Sequence, residues 1–401
     1  MELYGLALKR AGAPNLAEFQ RREGLPPTGR LDGLTWAALL PWLRGYRDYR
    51  VAPGDNYSRL AERYGVTVRA LITANPNQDP LQLRVGQLLT LPLGFDLVPT
   101  DRPFPYELLV LCLEGLGARY PFLKIRAFGE TYYGRKLWRV DLGLGPRRVL
   151  FNAAHHANEW ITVPLLLKFL EDYARAISEN GTIFGFPAQG LYQRARLCLV
   201  PMVNPDGVEL VTGGLEPGDP GLAEAEALAA SYPGIPFPDG WKANLRGVDL
   251  NLNYPARWEQ ARENKFALGY TRPGPRDYVG AGPLTEPETQ AMVQLTDRFN
   301  PGLTLSYHSQ GNLIYWKFLN LEPAGARELG ERFAAVSGYA LEEVPFASGF
   351  AGYKDWFILT RDRPGYTIEV GRGQSPLPLD QFDDIYARNL GILTLALAEG
   401  K

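Results

Sequence analysis

The stretch Val149-Leu150-Phe151-Asn152-Ala153-Ala154-His155-His156-Ala157-Asn158-Glu159-Trp160 decides how this 401-residue chain is read. Its first five residues form a short apolar run, bounded as a buried strand is bounded. From Ile161 to Ile177 apolar residues recur at helical spacing. A strand end therefore feeds a helix start, the place where α/β proteins set functional groups. His156 and Glu159 stand three apart, so one turn of backbone aims both side chains at a single point. An imidazole and a carboxylate on one point suit zinc, which takes nitrogen and oxygen ligands and keeps a position open when it serves catalysis.

Histidine usage narrows the reading. The chain has three histidines, His155, His156 and His308. His308 closes the apolar run Leu303-Thr304-Leu305-Ser306-Tyr307, so it can return from a neighbouring strand to complete a His-Glu-His set. His155 lacks the three-residue spacing to Glu159 and reads as a core or backing histidine.

Composition bounds the rest. Apolar residues at 45% and aromatics at 12% are ample for a large core, and 401 residues suit one large α/β domain with appendages. A net charge of −2 gives no electrostatic case for nucleic acid or an anionic membrane. Cys112 and Cys198 both sit in apolar runs, which predicts buried free thiols rather than a disulfide. No stretch has the length of a membrane span. Met1-Glu2-Leu3-Tyr4 shows no basic segment followed by an apolar one, so no signal peptide is recognisable.

Working outward to the N-terminus, residues 1–44 predict a small helical module: a helix end, a Pro/Gly loop, and a helix near Thr35–Leu43. Residues 46–92 read strand, helix, helix, strand, with Pro53-Gly54-Asp55 as a turn and Asn75-Pro76-Asn77 as a helix break. Residues 93–105 carry Pro99, Pro103 and Pro105 and read as a semi-rigid linker. Residues 106–401 alternate strands and helices, which argues for one α/β domain.

Within that domain, Leu197–Val203 is an apolar strand ending in the turn Asn204-Pro205-Asp206-Gly207. Residues 213–239 read as a surface insertion with a short alanine-rich helix. The string Trp241-Lys242-Ala243-Asn244-Leu245-Arg246-Gly247-Val248-Asp249-Leu250-Asn251-Leu252-Asn253 follows, dense in groups that hold a substrate. Glu369 interrupts the apolar run Tyr366–Val370, and a buried carboxylate needs a metal or a cation beside it. Arg135 and Glu288 read as structural, in surface or helix-end pairs.

The order and wording of residues 49–92 resemble a LysM domain, a glycan-binding module, and Phe19 to Thr35 resemble the later half of the helical peptidoglycan-binding domain. From about residue 104 to 400 six segments occur in the order of the zinc carboxypeptidase A-like metallopeptidases: His155–Trp160, Val203–Gly207, Arg246–Asn253, Gly282–Thr289, Ser306–Gly311 and Tyr366–Gly371. With its N-terminal modules, the chain looks most like the γ-D-glutamyl-L-diamino acid endopeptidases of that family.

The resemblance implies a carboxypeptidase-like α/β fold, a mixed central sheet flanked by helices, preceded by the helical module and a βααβ LysM module. It implies one Zn2+ held by His156, Glu159 and His308, with Glu369 as general base and proton shuttle. Asn251 matches a substrate-binding asparagine, with Asn253 and Lys242 beside it in the same string. Arg246 is the candidate for the cation that meets the oxyanion, and Lys242 is the alternative. Tyr353 is the candidate for the family's mobile tyrosine, with packing against Trp356 as the alternative. One departure matters: the family's arginine for a substrate's terminal carboxylate is Leu252 here, which makes no bidentate ion pair.

The resemblance thus implies a zinc-dependent peptidase that cuts the γ-D-glutamyl-L-diamino acid amide of peptidoglycan stem peptides, held on N-acetylglucosamine-containing wall by its N-terminal modules. A carboxypeptidase trimming C-terminal residues and a non-catalytic peptidoglycan-binding protein are the alternatives. The expected location is the cell wall or outside the cell; without a recognisable signal peptide, cytoplasmic or spore-borne is the alternative. The sequence leaves the oligomeric state open.

Overall fold

The structure, a computed structural model, describes residues 3–399. The outermost residues of the first and last expected modules, 1–2 and 400–401, lie outside the described residues. In chain order the strands are β1 (Tyr46–Arg50), β2 (Leu88–Pro92), β3 (Lys124–Glu130), β4 (Lys136–Leu142), β5 (Arg147–Ala153), β6 (Thr182–Ile183) and β7 (Phe186–Pro187). They continue as β8 (Ala195–Val200), β9 (Leu303–His308), β10 (Leu313–Tyr315), β11 (Ala340–Glu342) and β12 (Gly365–Glu369). Eight of them form one mixed sheet in the order β11-β10-β12-β9-β5-β8-β4-β3, and helices complete the architecture.

The sheet explains its own sequence. Its middle strands β12, β9, β5 and β8 run parallel, each register fixed residue by residue. Strands buried on both faces read as continuous apolar runs rather than alternating ones. All six residues of β9 and the last five of β5 are buried accordingly. The run predicted for 161–177 is a helix over Thr162–Glu179. The insertion at 213–239 carries its short helix at Pro220–Ala229. Parallel alignment brings the carboxyl ends of β5, β9 and β12 to one edge, where an α/β sheet leaves room for a ligand.

The chain divides into two compact units, one of residues up to Pro99 with Glu107–Lys124 and Glu171–Gly181, the other of the remainder. In the first, the helices Leu3–Arg10, Leu16–Arg22 and Gly33–Arg44 precede β1, and Tyr57–Tyr64 and Val68–Ala74 lie between β1 and its antiparallel partner β2. The starts are set by side-chain caps: Asp32 accepts from the Thr35 N–H at 2.8 Å and Asn56 from the Arg59 N–H at 2.9 Å. Residues 93–99 leave β2 without regular structure, yet Leu97 and Val98 are buried. The Glu171 carboxylate accepts from both their N–H groups (2.7 and 3.0 Å) and from Arg119 (3.1 Å), whose guanidinium also donates to the carbonyls of Gly45, Leu93 and Phe95. A buried ion pair satisfied this fully ties its neighbours down. Cys112 and Cys198 are both buried and free. Among the described residues no helix is long and apolar enough to cross a membrane.

Candidate metal centre

The centre begins where β5 ends. Ala154 takes φ +53°, a left-handed turn that swings the chain out of the strand. The turn is held from β8's exit: Val203 N–H donates to Ala153 O, Asn204 N–H to Ala154 O, both at 3.0 Å, and Asn204 Nδ2 to His155 O at 3.2 Å. His156 then opens the short 3-10 turn Ala157–Glu159, and Ala157 N–H donates to the carbonyl of Lys242 at 3.0 Å. Strand β9 ends on His308, and Glu369, at the end of β12, is its register partner. Two neighbouring strand ends and one turn thus supply the whole set.

The ligand atoms of His156, Glu159 and His308 lie within 4.8 Å of one another. Glu159 Oε1 is 2.9 Å from His156 Nδ1, Glu159 Oε2 is 3.0 Å from His308 Nδ1, and the two Nδ1 atoms are 3.2 Å apart. A ring nitrogen holds one proton, so two of them this close to a shared carboxylate cannot all be well served by hydrogen bonds. A divalent cation that takes nitrogen and oxygen ligands serves all three at once, so these residues fit zinc. Outside them, Asp249 Oδ1 sits 3.1 Å from His156 Nε2 and orients the ring, as carboxylates behind metal-binding histidines do. His155 is fully buried, its Nε2 3.0 Å from the Tyr254 hydroxyl, its ring stacked on His308. Burial and the neighbouring His308 hold its pKa well below the ordinary value, so it stands as a neutral backing group.

A cavity of about 240 Å³ opens in front of these groups, lined by His156, Lys242, Asp249, Asn251, Leu252, Arg276, Tyr315 and Glu369 among others. Burial, followed by the charge of Glu159, raises the Glu369 carboxyl to about 8. Burial works against the charge on Lys242, but Glu159 and Asp249 outweigh it and its pKa is raised. Its Nζ lies 3.2 Å from Glu159 Oε1, an ammonium at the metal ligands' side.

Four of the residues singled out in the sequence fall elsewhere. Arg246 is 41% exposed, lies over the Tyr132 ring at 4.7 Å, and has Glu286 3.6 Å away. It does not line the cavity. Gly247, at φ +73°, closes the turn in which Gly247 N–H donates to Asn244 O, and this turn carries Arg246 away. Asn253 is fully buried and spends its side chain on Val279 O, Gly282 O, Glu286 N–H and the hydroxyls of Thr285 and Thr289. Tyr353 is fully buried too, its hydroxyl 2.8 Å from Thr296 and its ring against Tyr254 and Trp356, so it is a core tyrosine rather than a mobile one. Glu288, expected in a surface or helix-end pair, is fully buried beside Asn244, and neither oxygen has a hydrogen-bond partner among the described residues. Asn251, Lys242 and Leu252 do line the cavity.

Asp249, Arg276 and Tyr315 also line the cavity without having stood out in the sequence. Asp249 carried a usable signal, being a carboxylate two residues before Asn251 in an otherwise buried string. Arg276 sits in a loop of turn residues with no periodicity to place it.

The chain was compared with known proteins. The profile of the zinc carboxypeptidase family matches residues 110–389, that of the LysM domain residues 49–92, and that of a peptidoglycan binding domain residues 15–39. The chain is 40% identical over 402 residues to the gamma-D-glutamyl-L-diamino acid endopeptidase 1 of Lysinibacillus sphaericus, an alignment covering 87% of this chain and 99% of that one. Among solved structures, thrombin activatable fibrinolysis inhibitor shares the fold with a TM-score of 0.59 at 16% identity over 75% of each chain. The carboxypeptidase A of Helicoverpa armigera does so at 0.55 and 17% identity, over 86% of this chain and 82% of that one.

Proposed function

The chain belongs to the zinc carboxypeptidase family of metallopeptidases, and we propose that within it this enzyme hydrolyses the amide between the side-chain carboxyl of D-glutamate and an L-diamino acid in peptidoglycan stem peptides. One observation carries the reading. The cavity lined by His156 and Glu369, beside the His156-Glu159-His308 set, also has Leu252 in its wall, and the resemblance gives that position to the arginine that holds a carboxypeptidase substrate's terminal carboxylate. Without that arginine the family's own means of demanding a free C-terminus is missing, so the residue after the cut is free to continue as a chain. Likeness to the L. sphaericus endopeptidase, over 87% of this chain and 99% of that one, supports the same substrate.

His156, Glu159 and His308 would hold the zinc, which when bound supplies a Lewis acid and an acidified water at neutral pH. Glu369 takes the proton of the attacking water and delivers it to the departing amine. Its raised pKa suits a group that must both accept and return a proton near neutrality. Lys242 takes the role expected of Arg246, an ammonium fixed where charge develops on the carbonyl oxygen. Asn251 orients the substrate from the cavity wall. The LysM and peptidoglycan-binding domains hold the enzyme on the cell wall through N-acetylglucosamine-containing glycan, which raises the local concentration of stem peptides.

Mass spectrometry of a zinc-loaded digest of L-Ala-γ-D-Glu-diamino acid-D-Ala tests this. Release of L-Ala-D-Glu is the expected result. Release of D-Ala alone would make the enzyme a carboxypeptidase.

A further inference from the structure

Two cavities meet at the same pair of cations. The metal cavity carries mixed charge: besides Lys242 and Arg276 it is lined by Lys265 and Lys354 and by four carboxylates, Asp249, Asp277, Asp355 and Glu369. The second, of about 310 Å³, starts from the same Lys242 and Arg276 and runs past Asn158, Gln310 and Gln374, with no carboxylate in its lining. Arg276 stands at the junction with its side chain 39% exposed. Its Nε pairs with Asp277 at 2.7 Å, while neither terminal nitrogen has a protein partner among the described residues.

The substrate of the proposed reaction has the matching asymmetry. Its diamino acid brings a side-chain ammonium and the D-Ala beyond it a terminal carboxylate, which a lining of both signs complements. Its D-glutamyl residue is joined through the side chain and so keeps a free α-carboxylate, which a lining of cations and amides complements. An ordinary α-peptide has no such carboxylate, because the equivalent carbonyl is itself the bond being cut. We propose that the second cavity takes the D-glutamyl residue and that Arg276 grips its α-carboxylate, which makes Arg276 the residue that reads the γ-linkage. This deepens, and rests on, the assignment of the cut to the γ-D-glutamyl bond. A guanidinium with both terminal nitrogens open offers the fork that a carboxylate fills bidentately. Asn158 lines the same cavity, and its buried Oδ1 has no hydrogen-bond partner among the described residues.

The test is a ratio. kcat/KM is measured for L-Ala-γ-D-Glu-L-Lys-D-Ala and for its twin with the D-glutamyl α-carboxylate converted to a carboxamide, in the zinc-loaded full chain, its Arg276→Gln variant and its Arg276→Lys variant. The wild type should favour the carboxylate by on the order of 10- to 100-fold. In Arg276→Gln the ratio should fall to within about threefold of one, with Arg276→Lys between. A ratio that stays at the wild-type value in Arg276→Gln overturns the proposal, however far both rates fall, and so does a wild type indifferent to the carboxylate. Failure of the wild type to cut either peptide between D-Glu and L-Lys removes the underlying assignment instead, and the proposal falls with it.

Discussion

Two polar clusters are buried in the catalytic unit, and they differ in where their free valences point. Around the metal residues, two imidazoles and a carboxylate converge on one spot, and that spot faces a cavity. Around Asn244, the polar groups turn on one another. Asn244 Nδ2 donates to Glu286 at 2.8 Å, Arg135 pairs with Asp206 at 2.8 Å, and Glu288 is enclosed with both oxygens unpartnered. None of these residues lines the metal cavity. Density of buried polar groups therefore does not mark a reaction centre in this protein; convergence on open space does. Lys242 and Arg246 sit four residues apart in one string and fall on opposite sides of that divide.

The comparison breaks most visibly if the first cluster can be damaged without consequence. Glu159→Ala removes the ligand that touches both histidines and should cost both bound zinc and at least about a thousandfold in kcat/KM. Metal content by mass spectrometry and hydrolysis of a stem peptide check this, and a variant within tenfold of wild type would mean the centre lies elsewhere. The next effect separates the two cations. Lys242→Gln should lower kcat by about 100- to 1000-fold with zinc retained, as loss of an oxyanion partner does. Arg246→Gln, outside the cavity, should stay within about threefold of wild type. Reversal of that order would restore Arg246 to the role and require a rearrangement of the turn at Gly247.

A smaller effect is expected one layer out. Asp249→Asn keeps the shape behind His156 but removes the charge that orients it, and should weaken zinc affinity by about 10- to 100-fold. Competition with a zinc chelator measures this without reference to turnover. Unchanged affinity would make Asp249 a wall of the cavity rather than a support of the ligand.

The same divide explains what was legible in the sequence. Strand ends, helix starts and the meeting of His156, Glu159 and His308 were readable because backbone periodicity dictates them: β5 into the 3-10 turn, β9 ending on His308, β12 ending on Glu369. Side-chain direction within an irregular string was not. From Trp241 to Asn253 no helix or strand fixes which way a residue faces until the short turn at Leu250–Leu252. Arg246 therefore reads as the cation with Lys242 as the alternative, and Asn253 as a substrate contact, whereas Lys242 lines the cavity, Arg246 does not, and Asn253 holds loops together. For Tyr353 the alternative of packing against Trp356 is the one found, and the burial against Thr296 and Tyr254 that accompanies it arises from parts of the chain far away in sequence.

The finest distinction concerns Glu288, because its charge state tells whether the second cluster is organised differently from the first. Burial raises its carboxyl from 4.5 to about 8, so in the folded chain it keeps its proton across a range where the unfolded chain has released it. The stability that this neutral carboxyl contributes is complete below about pH 4.5 and is lost as pH rises toward 8. Glu288→Gln presents a neutral side chain of the same shape at every pH and escapes that loss. The variant should match wild type near pH 4.5 and melt about 2–5 °C higher at pH 8, in scans of otherwise identical samples. A difference independent of pH would mean that Glu288 does not titrate in this range. A variant that melts lower than wild type at pH 8 would mean that the carboxylate is charged and held by a partner. The second cluster would then converge on something as the first does, and convergence would no longer separate the two.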